Sequence, residues 1–560
     1  MSLPLLALAF LVLLVASYRL YGRWVARQFQ IDDSNPTPAH KMNDGVDFVP
    51  TPRFYLFAQH FSAIAAAGPI AGPILACQTW GWGPSLLWIG LGVVLIGAVH
   101  DFSSLAASVR HGARSIADIT REHLGPRAGV AMLAFIWIAL VYVVVAFADI
   151  TASSFTSATE ELEGVQVGFN PGGAVAAASV MYLMLAVVMG FVQRYLKPPL
   201  WLVTVIFVPS ALALSWLGTK ISNLLVLDVK TWGLLILAYC AVASVVPLWV
   251  LLQPRGYVGG FILYMALGLG IIGVFFGGYE IKAPSFKSWD VGGMTGTLFP
   301  FLFVTIACGA CSGFHGLVCS GTTSKQVDRE SHLQSVGYGA MLAEGFVALI
   351  ALVTIMIVTS DEIRGLKPGT IYGNGIGRFM TILIGRDNLP FAITFGAMAF
   401  STFVFDTLDV CTRLGRYILQ ELFGWRTRAG AVMATAITIA LPVYFIAVAQ
   451  EGSWVKFWTL FGASNQLLAA LTLLSITVWL YKARRRVWFT LFPMVFVLTI
   501  TLWSLAGLTV SNLRAANGLD VQMLNAISAA ALILLALFLA ITALFKVRGE
   551  RKGDLAAEAA

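Results

Sequence analysis

The sequence predicts an all-α polytopic membrane protein with about fifteen transmembrane helices. Of its 560 residues, 58% are hydrophobic and 11% are charged, whereas soluble domains carry roughly 25% charged residues. Apolar runs of about 20 residues, the length that spans a bilayer, recur along the whole chain. This composition excludes a soluble protein and a protein with a single membrane anchor.

The apolar segments also predict an orientation. Most of the 36 basic residues fall on the inner side if the N-terminus lies outside and the spans alternate, which predicts an N-out/C-in topology. For the same reason the net charge of +8 indicates membrane topology and not nucleic-acid binding. The segments are 3–22, 54–78, 82–109, 128–154, 173–193, 199–218, 231–252, 257–278, 297–321, 334–360, 388–417, 428–450, 453–481, 487–508 and 524–546.

The segment 54–78 carries the first chemical signal, the motif GPIAGP at 68–73. Each proline removes a backbone N–H and clashes with the preceding turn, so the two Gly-Pro pairs predict a helix that opens at membrane depth. Lipid cannot satisfy the freed backbone groups, which predicts a substrate site; close packing around a kink is the alternative. The predicted substrate-binding residues are Gly68, Pro69, Ile70, Ala71, Gly72 and Pro73.

A second discontinuous helix is predicted at 297–321, which is rich in glycine and serine. A helix end with exposed N–H groups beside an imidazole would suit a carboxylate ligand. For the histidine in this segment, a packed and hydrogen-bonded imidazole is the alternative. Asn465 and Gln466, two adjacent amides in a later apolar segment, either line the same path or bond between helices. The substrate-binding candidates are Ser312, Gly313, Phe314, His315 and Asn465.

The segments 54–78 and 297–321 have opposite orientations in this topology. Inverted-repeat transporters bring two such segments together near the bilayer midplane. We therefore expect a leucine-transporter-like (APC-superfamily) inverted repeat. That architecture has four helices between its broken helices, whereas six separate them here, so extra helices are expected.

The predicted division of the chain follows from this repeat. It comprises an N-terminal helix and cytoplasmic connection at 1–53, a first repeat at 54–230, inserted helices at 231–296, a second repeat at 297–481, and C-terminal helices with a short basic tail at 482–560. Residues 361–387 are predicted to form a periplasmic loop, which is either a gate or a linker.

The segment 388–417 places hydroxyls and carboxylates inside an apolar helix, where such groups usually face a bundle interior or an aqueous path. Hydroxyl oxygens suit Na⁺, while a carboxylate suits H⁺. In the leucine-transporter fold, the helix at this serial position supplies adjacent hydroxyls to a sodium ion against the first broken helix. The ion- or proton-coupling candidates are Ser401, Thr402, Asp406 and Thr407, together with Ala65 and Gly68. Asp409 is assigned to a structural pair with Arg413, four residues later.

His100 and Asp101 lie near the inner end of an apolar segment. A proton relay and a structural hydrogen-bonded pair are equal alternatives there, so both residues join the coupling candidates. Glu344 is a lone intramembrane carboxylate and a weaker proton candidate.

No metal site or organic cofactor is predicted, and Na⁺ is the one candidate bound ion. Cys308, Cys311 and Cys319 with His315 invite a metal interpretation, because thiolates and imidazoles bind zinc. These residues lie in an apolar segment of small side chains, which favours packing instead.

On its motifs the chain resembles the carbon starvation protein A family. The resemblance rests on 61–76 with GPIAGP, GAVHDFSSL at 97–105, RHGARSI at 110–116, 309–326 with SGFH and SGTTSK, DTLDVCTRLGR at 406–416, and FGASNQLLA at 461–469. His100 stands where many members have glutamine, and the C-terminal end is shorter than in the longer members. The family resemblance implies a bacterial inner-membrane uptake system for peptides or, in some members, for pyruvate with H⁺, induced when carbon is scarce.

We therefore expect a multi-pass inner-membrane symporter, and not an enzyme, that imports a small carboxylated nutrient such as pyruvate or a short peptide during carbon starvation. The driving ion is H⁺ or Na⁺, and membrane lipid is the other expected partner; the oligomeric state stays open. Because the chain contains no P-loop, drive by ATP within this chain is not expected. A membrane nutrient sensor without net transport is the alternative, since it would need the same pocket.

Overall fold

A computed structural model describes residues 2–45, 47–65, 67–156, 168–293, 295–448 and 454–558. These residues form helices joined by loops, and the only pairing of extended backbone among them is two isolated β-bridges. Short π-helical turns connect α1 to α2 and α6 to α7, and another precedes α16. The helices are α1 (Leu3–Ser17), α2 (Arg23–Gln28), α3 (Pro38–Lys41), α4 (Arg53–Ile64), α5 (Gly68–Trp80), α6 (Trp82–Gly92), α7 (Ala98–Arg110), α8 (Ile116–Leu124), α9 (Pro126–Ser154), α10 (Pro171–Tyr195), α11 (Leu200–Lys220), α12 (Val229–Val245), α13 (Leu252–Phe276), α14 (Leu298–Thr305), α15 (Gly313–Gly321), α16 (Ala340–Met356), α17 (Pro368–Ile384), α18 (Leu389–Phe423), α19 (Arg428–Val448), α20 (Trp454–Lys482), α21 (Trp488–Ala515) and α22 (Val521–Glu558).

Twelve helical stretches in the described part of the chain are long and apolar enough to cross a membrane, and α4 with α5 would form a thirteenth. The all-α polytopic fold class is therefore confirmed. The remaining predicted segments are also helical, but α12 has 17 residues and α14 and α15 are each short. The total of about fifteen spans stays a prediction.

The apolar helices divide into a buried group and a peripheral group. The apolar stretches of α9, α16, α18 and α20 are largely buried, and both α18 and α20 pack against α9. The stretches of α11, α19 and α22 bury only a minority of their residues. A helix that is apolar on all sides is stable either in a protein core or in lipid, so the second group forms the lipid-facing shell.

The segment predicted as a periplasmic loop, 361–387, contains the helix α17, so this prediction was wrong. Glycines four residues apart let α17 approach its neighbours closely, as small residues do between membrane helices. A Cβ atom on Gly369 would lie 2.9 Å from the ring of Phe400, one on Gly373 3.0 Å from Ala397, and one on Gly377 2.7 Å from Ile393. The spacing GxxxGxxxG was the sequence signal for a packed helix.

The substitution Gly373→Leu is expected to destabilise the protein. The new side chain would overlap the backbone and Cβ of Ala397 on α18, and overpacking of this kind costs about 1–3 kcal/mol. Thermal unfolding of the detergent-solubilised protein measures the effect. Gly268→Leu is the matched control, because a Cβ on this α13 glycine meets no described atom within 4 Å. Equal melting temperatures for the two variants would contradict the close packing of α17 on α18.

The first discontinuous helix breaks before the Gly-Pro motif and not within it. Helix α4 ends at Ile64, α5 begins at Gly68, and the two are bent by 46°. Pro69 occupies the first turn of α5, where a backbone N–H would lack a helical partner anyway. Pro73 lies inside α5, which continues past it to Trp80. The prediction that both Gly-Pro pairs open the helix was therefore wrong in its location.

The second discontinuous helix is interrupted as predicted. Helix α14 ends at Thr305, the backbone of 306–312 is not α-helical, and α15 begins at Gly313. Helix α5 packs directly against the second interruption: a Cβ atom on Gly68 would lie 2.5 Å from Cys308, and one on Gly72 would lie 2.7 Å from the carbonyl oxygen of Thr305. The absence of a side chain at Gly68 and at Gly72 thus permits direct contact between the two broken helices.

Candidate functional site

The backbone carbonyls freed by the second interruption are held by side chains of other helices. The amide of Gln466 donates to the carbonyl of Phe303 at 2.8 Å, and the indole of Trp458 donates to that of Thr305 at 3.1 Å. The indole of Trp88 donates to the carbonyl of Ile306 at 3.1 Å. Because buried carbonyls require partners, these three side chains stabilise the open backbone.

Asn465 of α20 holds the other side of the interruption. Its Oδ1 accepts the backbone N–H of Phe314 at 2.9 Å, and its Nδ2 lies 3.2 Å from Sγ of Cys308 and 3.1 Å from Oγ of Ser312. Of the two alternatives for Asn465, the structure supports bonding between helices. The amide oxygen occupies the N-terminus of α15, where the sequence predicts a carboxylate ligand.

Directly beyond this helix N-terminus lies a buried cluster of two imidazoles and two carboxylates. Nδ1 of His315 is 2.8 Å from Oδ2 of Asp101, and Nδ1 of His100 is 2.7 Å from Oδ1 of the same carboxylate. Nε2 of His315 is 3.2 Å from Oε2 of Glu344. The four side chains come from α15, α7 and α16 and are at most 1% exposed. We call these four residues the His315 cluster.

The His315 cluster has unused hydrogen-bonding capacity. Nε2 of His100 and both oxygens of Glu344 lack a hydrogen-bond partner of good geometry among the described residues. Buried charges are tolerated only when paired, and an imidazolium at His315 would face one carboxylate from each ring nitrogen. Adding or removing a proton therefore changes the electrostatic balance of the whole cluster.

The cluster is connected to the first broken helix through Cys319. The thiol of Cys319 donates to the backbone carbonyl of Asp101 at 3.5 Å and lies 3.9 Å from Nε2 of His60 on α4. Nδ1 of His60 is 2.9 Å from the hydroxyl of Thr323. Polar groups thus link α4, α15 and α7 in one buried region.

A second buried network joins α13 to α18 around Arg255, whose side chain is 1% exposed. Its Nε is 3.1 Å from Oδ1 of Asp406, and its Nη1 contacts Oδ2 of Asp409 and, at 2.6 Å, the hydroxyl of Tyr239. Tyr239 donates to Asp409 at 2.7 Å. One guanidinium therefore compensates two carboxylates.

The predicted pair between Asp409 and Arg413 is not formed, so that assignment was wrong. Nη2 of Arg413 donates to the carbonyls of Ala243 and Val246 at the C-terminus of α12, 2.5 and 2.6 Å away. A cation at a helix C-terminus complements the helix dipole. The tertiary contact with α12 outweighs the helical spacing between Asp409 and Arg413.

The hydroxyl candidates of α18 lie apart from the first broken helix. Ser401 bonds to Ser179 of α10 at 2.8 Å, Thr407 donates to the carbonyl of Phe403 at 3.2 Å, and Oγ1 of Thr402 has no partner among the described residues.

Helix α13 separates α18 from α4. A Cβ on Gly259 of α13 would face Asp406 and Thr402, whereas one on Gly260 would face Ser62 of α4. The predicted Na⁺ ligands Ala65, Gly68, Ser401 and Thr402 are thus not assembled in this conformation.

The substrate-binding candidates are all buried in this conformation. They include the α5 residues 68–73 and the residues 312–315 at the start of α15, together with Asn465. The structure brings together His315 with His100 and Asp101, which the sequence could place only in separate segments. It makes Glu344 a direct partner of His315. It also assigns Gln466 to bonding between helices and adds Trp458, which the sequence did not indicate, as a second support of the interruption.

Arg255 is not among the site residues predicted from the sequence. It follows Gln253-Pro254 between two apolar runs, a position typical of a cation in a loop. The described helix α13 begins at Leu252, which includes Arg255 in its first turn and buries it. The sequence signal available was the pair of carboxylates on α18, which required a buried cation.

The family model described as carbon starvation protein CstA matches residues 1–374 and 366–504. The chain belongs to the carbon starvation protein CstA family. It is 33% identical to the "Peptide transporter CstA" of Campylobacter jejuni over 89% of this chain and 79% of the relative. It is 30% identical to the "Pyruvate/proton symporter BtsT" of Escherichia coli over 88% of this chain and 79% of the relative.

These relatives are bacterial and are named as transporters, which confirms the predictions of a multi-pass inner-membrane protein that is not an enzyme. Among solved structures, a manganese transporter from Eremococcus coleocola aligns over 90% of this chain and 99% of its own, with 13% identity and a TM-score of 0.44. These values do not establish a shared fold.

Proposed function

We propose that this protein is a secondary active symporter that imports a small carboxylated nutrient, pyruvate or a short peptide, together with protons. The names of its relatives, peptide transporters and a pyruvate/proton symporter, support this function. A role in the response to carbon starvation is part of the proposal and rests on the family.

The main support for this function is the position of the His315 cluster beside the second interruption. His315 lies in the first turn of α15 and faces the carboxylates of Asp101 and Glu344. Intramembrane ionisable groups of this kind are typical of proton pathways in transporters. A proton bound here changes the interactions of a discontinuous helix and thereby biases its position. H⁺ is favoured over Na⁺ because α13 separates the hydroxyls of α18 from α4.

The substrate carboxylate is proposed to bind at the N-terminus of α15. The N–H of Phe314 now donates to Asn465, and a carboxylate would accept the same bond once α20 moves away. Residues 68–73 and 312–315 would then line the pocket. Their burial corresponds to an occluded conformation, which alternating access requires.

Asp406 is proposed as a second proton-coupling group. Its side chain is 30% exposed, whereas its partner Arg255 is 1% exposed. Protonation of Asp406 would leave Arg255 with Asp409 alone and weaken the link between α13 and α18. Ser401, Thr402 and Thr407 lie along the same helix and remain the candidates for Na⁺ if sodium contributes.

The inverted repeat with discontinuous helices at 54–78 and 297–321, and the five-part division of the chain, complete the proposal. The contact between Gly68 and Cys308 supports it, since inverted repeats bring their broken helices together. The fifteen predicted segments give the odd number of crossings that an N-out/C-in topology needs. A crossing by α17 would make this number even, so α17 would not cross the membrane.

Uptake by purified protein in liposomes tests the function. Labelled pyruvate and a labelled dipeptide are offered under an inward proton gradient, an inward Na⁺ gradient, or neither. We expect the proton gradient to drive accumulation of one of the two compounds above its external concentration, and a protonophore to abolish it.

Three outcomes would contradict parts of the proposal. Accumulation with the Na⁺ gradient alone would identify Na⁺, and not H⁺, as the driving ion. Uptake that is indifferent to both gradients would exclude symport. Saturable binding of pyruvate or dipeptide without any uptake would favour the nutrient-sensor alternative. Protein-free liposomes are the control for passive entry of pyruvate.

A further inference from the structure

Two histidines outside the proposed transport pathway face each other in the connection between α7 and α9. Nε2 of His111 lies 2.9 Å from Nε2 of His123, and the two rings are nearly perpendicular. One carboxylate oxygen of Glu122 and one ring nitrogen from each histidine all lie within 4.8 Å of one another. Imidazole nitrogens at such a separation can bind one metal ion together.

The ring of His111 is oriented for metal binding by the groups around it. Its Nδ1 donates to the backbone carbonyl of Ala107 at 2.7 Å, so the lone pair of the neutral ring is on Nε2, where it accepts from Nε2 of His123. A metal ion would replace the proton between these two nitrogens. Histidine ligands usually donate their second nitrogen to a carbonyl in this way. The indole of Trp479 packs edge-on against the His111 ring, with centroids 5.0 Å apart.

Helix ends add a favourable field for a cation. His111 caps the C-terminus of α7, and His123 lies in the last turn of α8. The C-terminus of a helix carries partial negative charge, so both helices favour positive charge at this point. The nearby cations are already engaged: Arg114 bonds to Glu122 at 2.8 Å, and Lys482 donates to the carbonyl of His123 at 3.1 Å.

We propose that His111 and His123 form a binding site for a divalent transition-metal ion, with Glu122 as a third, weaker ligand. Imidazole donors suit Zn²⁺ and its neighbours Ni²⁺ and Cu²⁺, whereas Mg²⁺ and Ca²⁺ prefer oxygen. Glu122 contributes less because it is exposed and must release Arg114. Three protein ligands leave the fourth position of zinc for water.

A metal at this site would join the C-terminal ends of α7 and α8. Helix α7 also carries His100 and Asp101 of the His315 cluster. The ion would therefore restrain the helix that supplies the central carboxylate of that cluster. The site itself is independent of the proposed transport function, because its binding is measured without substrate or gradient.

Zinc binding to the purified, tag-free protein tests this proposal. The protein is treated with EDTA, and Zn²⁺ affinity is measured by competition with a chromogenic chelator. We expect one ion per chain in the wild type. His111→Ala and His123→Ala should each weaken binding about tenfold or more, and Glu122→Gln should weaken it less. His40→Ala is the matched control, since His40 is an exposed histidine elsewhere that bonds to Asp328.

Absence of a stoichiometric site in the wild type, or wild-type affinity in both histidine variants, would overturn the proposal. If a variant fails to fold, X-ray absorption of the zinc-loaded wild type decides instead. Two imidazole nitrogens at about 2.0–2.1 Å are expected. Sulfur ligands at about 2.3 Å would place the ion at the cysteines and contradict the assignment.

Discussion

His315→Gln is expected to abolish proton-driven accumulation of substrate. Glutamine can hydrogen-bond to Asp101 or Glu344, but it cannot carry the proton or the positive charge that His315 places between them. Glu344 would then lose its imidazole partner and would have to stay protonated, while Asp101 would keep only His100. Uptake into proteoliposomes under an inward proton gradient measures the loss.

Exchange of substrate between the two sides without a gradient separates coupling from structural damage. We expect the His315→Gln variant to retain exchange, because glutamine keeps a hydrogen-bonding side chain in the proposed pocket and exchange requires no net proton movement. His40→Gln, at an exposed histidine, should behave as the wild type in both assays. Accumulation at the wild-type level by the His315→Gln variant would contradict a role of the His315 cluster in proton coupling. Asp406 would then be the candidate proton-coupling group.

Arg255→Met is expected to destabilise the protein by about 3–5 kcal/mol, the range measured when one partner of a buried ion pair is removed. The substitution leaves Asp409, which is 2% exposed, without its cation. Methionine is shorter but keeps an unbranched apolar stem in the place of the arginine stem, so most of the loss would come from the missing charge. The thermal unfolding temperature of the detergent-solubilised protein reports the effect.

A second substitution tests whether Asp409 is the carboxylate that Arg255 compensates. Asp409→Asn removes the uncompensated charge, so we expect it to restore most of the stability lost in Arg255→Met. Arg413→Met is the matched control: it loses two bonds to backbone carbonyls of α12, at a cost of about 1–3 kcal/mol, and Asp409→Asn should not restore it. Restoration of Arg413→Met but not of Arg255→Met would support the helical pair that the spacing predicts.

The sequence was informative where one physical rule acts within a single segment. Low charge and repeated apolar runs predicted a polytopic helical protein, because lipid leaves few alternatives for the backbone. Glycine and serine within 297–321 predicted the second interruption, which the structure places at 306–312. The Gly-Pro motif indicated a break but not its position, because proline fits the first turn of α5 as well as a gap.

Features that depend on contacts between distant segments could not be predicted. His315, Asp101 and Glu344 are separated by more than 200 residues at their extremes, and no local pattern connects them. Asp409 has Arg413 on its own helical face, yet it pairs with Arg255 of another helix. The glycines of α17 indicated a loop when considered singly, whereas their spacing of four residues places them on one packed face.

The side chains that hold the second interruption have a consequence for how sequences of this kind diverge. Gln466, Trp458 and Trp88 serve carbonyls that exist as free acceptors only because the backbone between α14 and α15 is open. In a lineage where this gap became a continuous helix, the three carbonyls would bond within the helix. Positions 466, 458 and 88 would then no longer need a hydrogen-bond donor. A lineage that kept the gap but lost one donor would need a substitute donor nearby. The four features are therefore expected to be inherited together or replaced together.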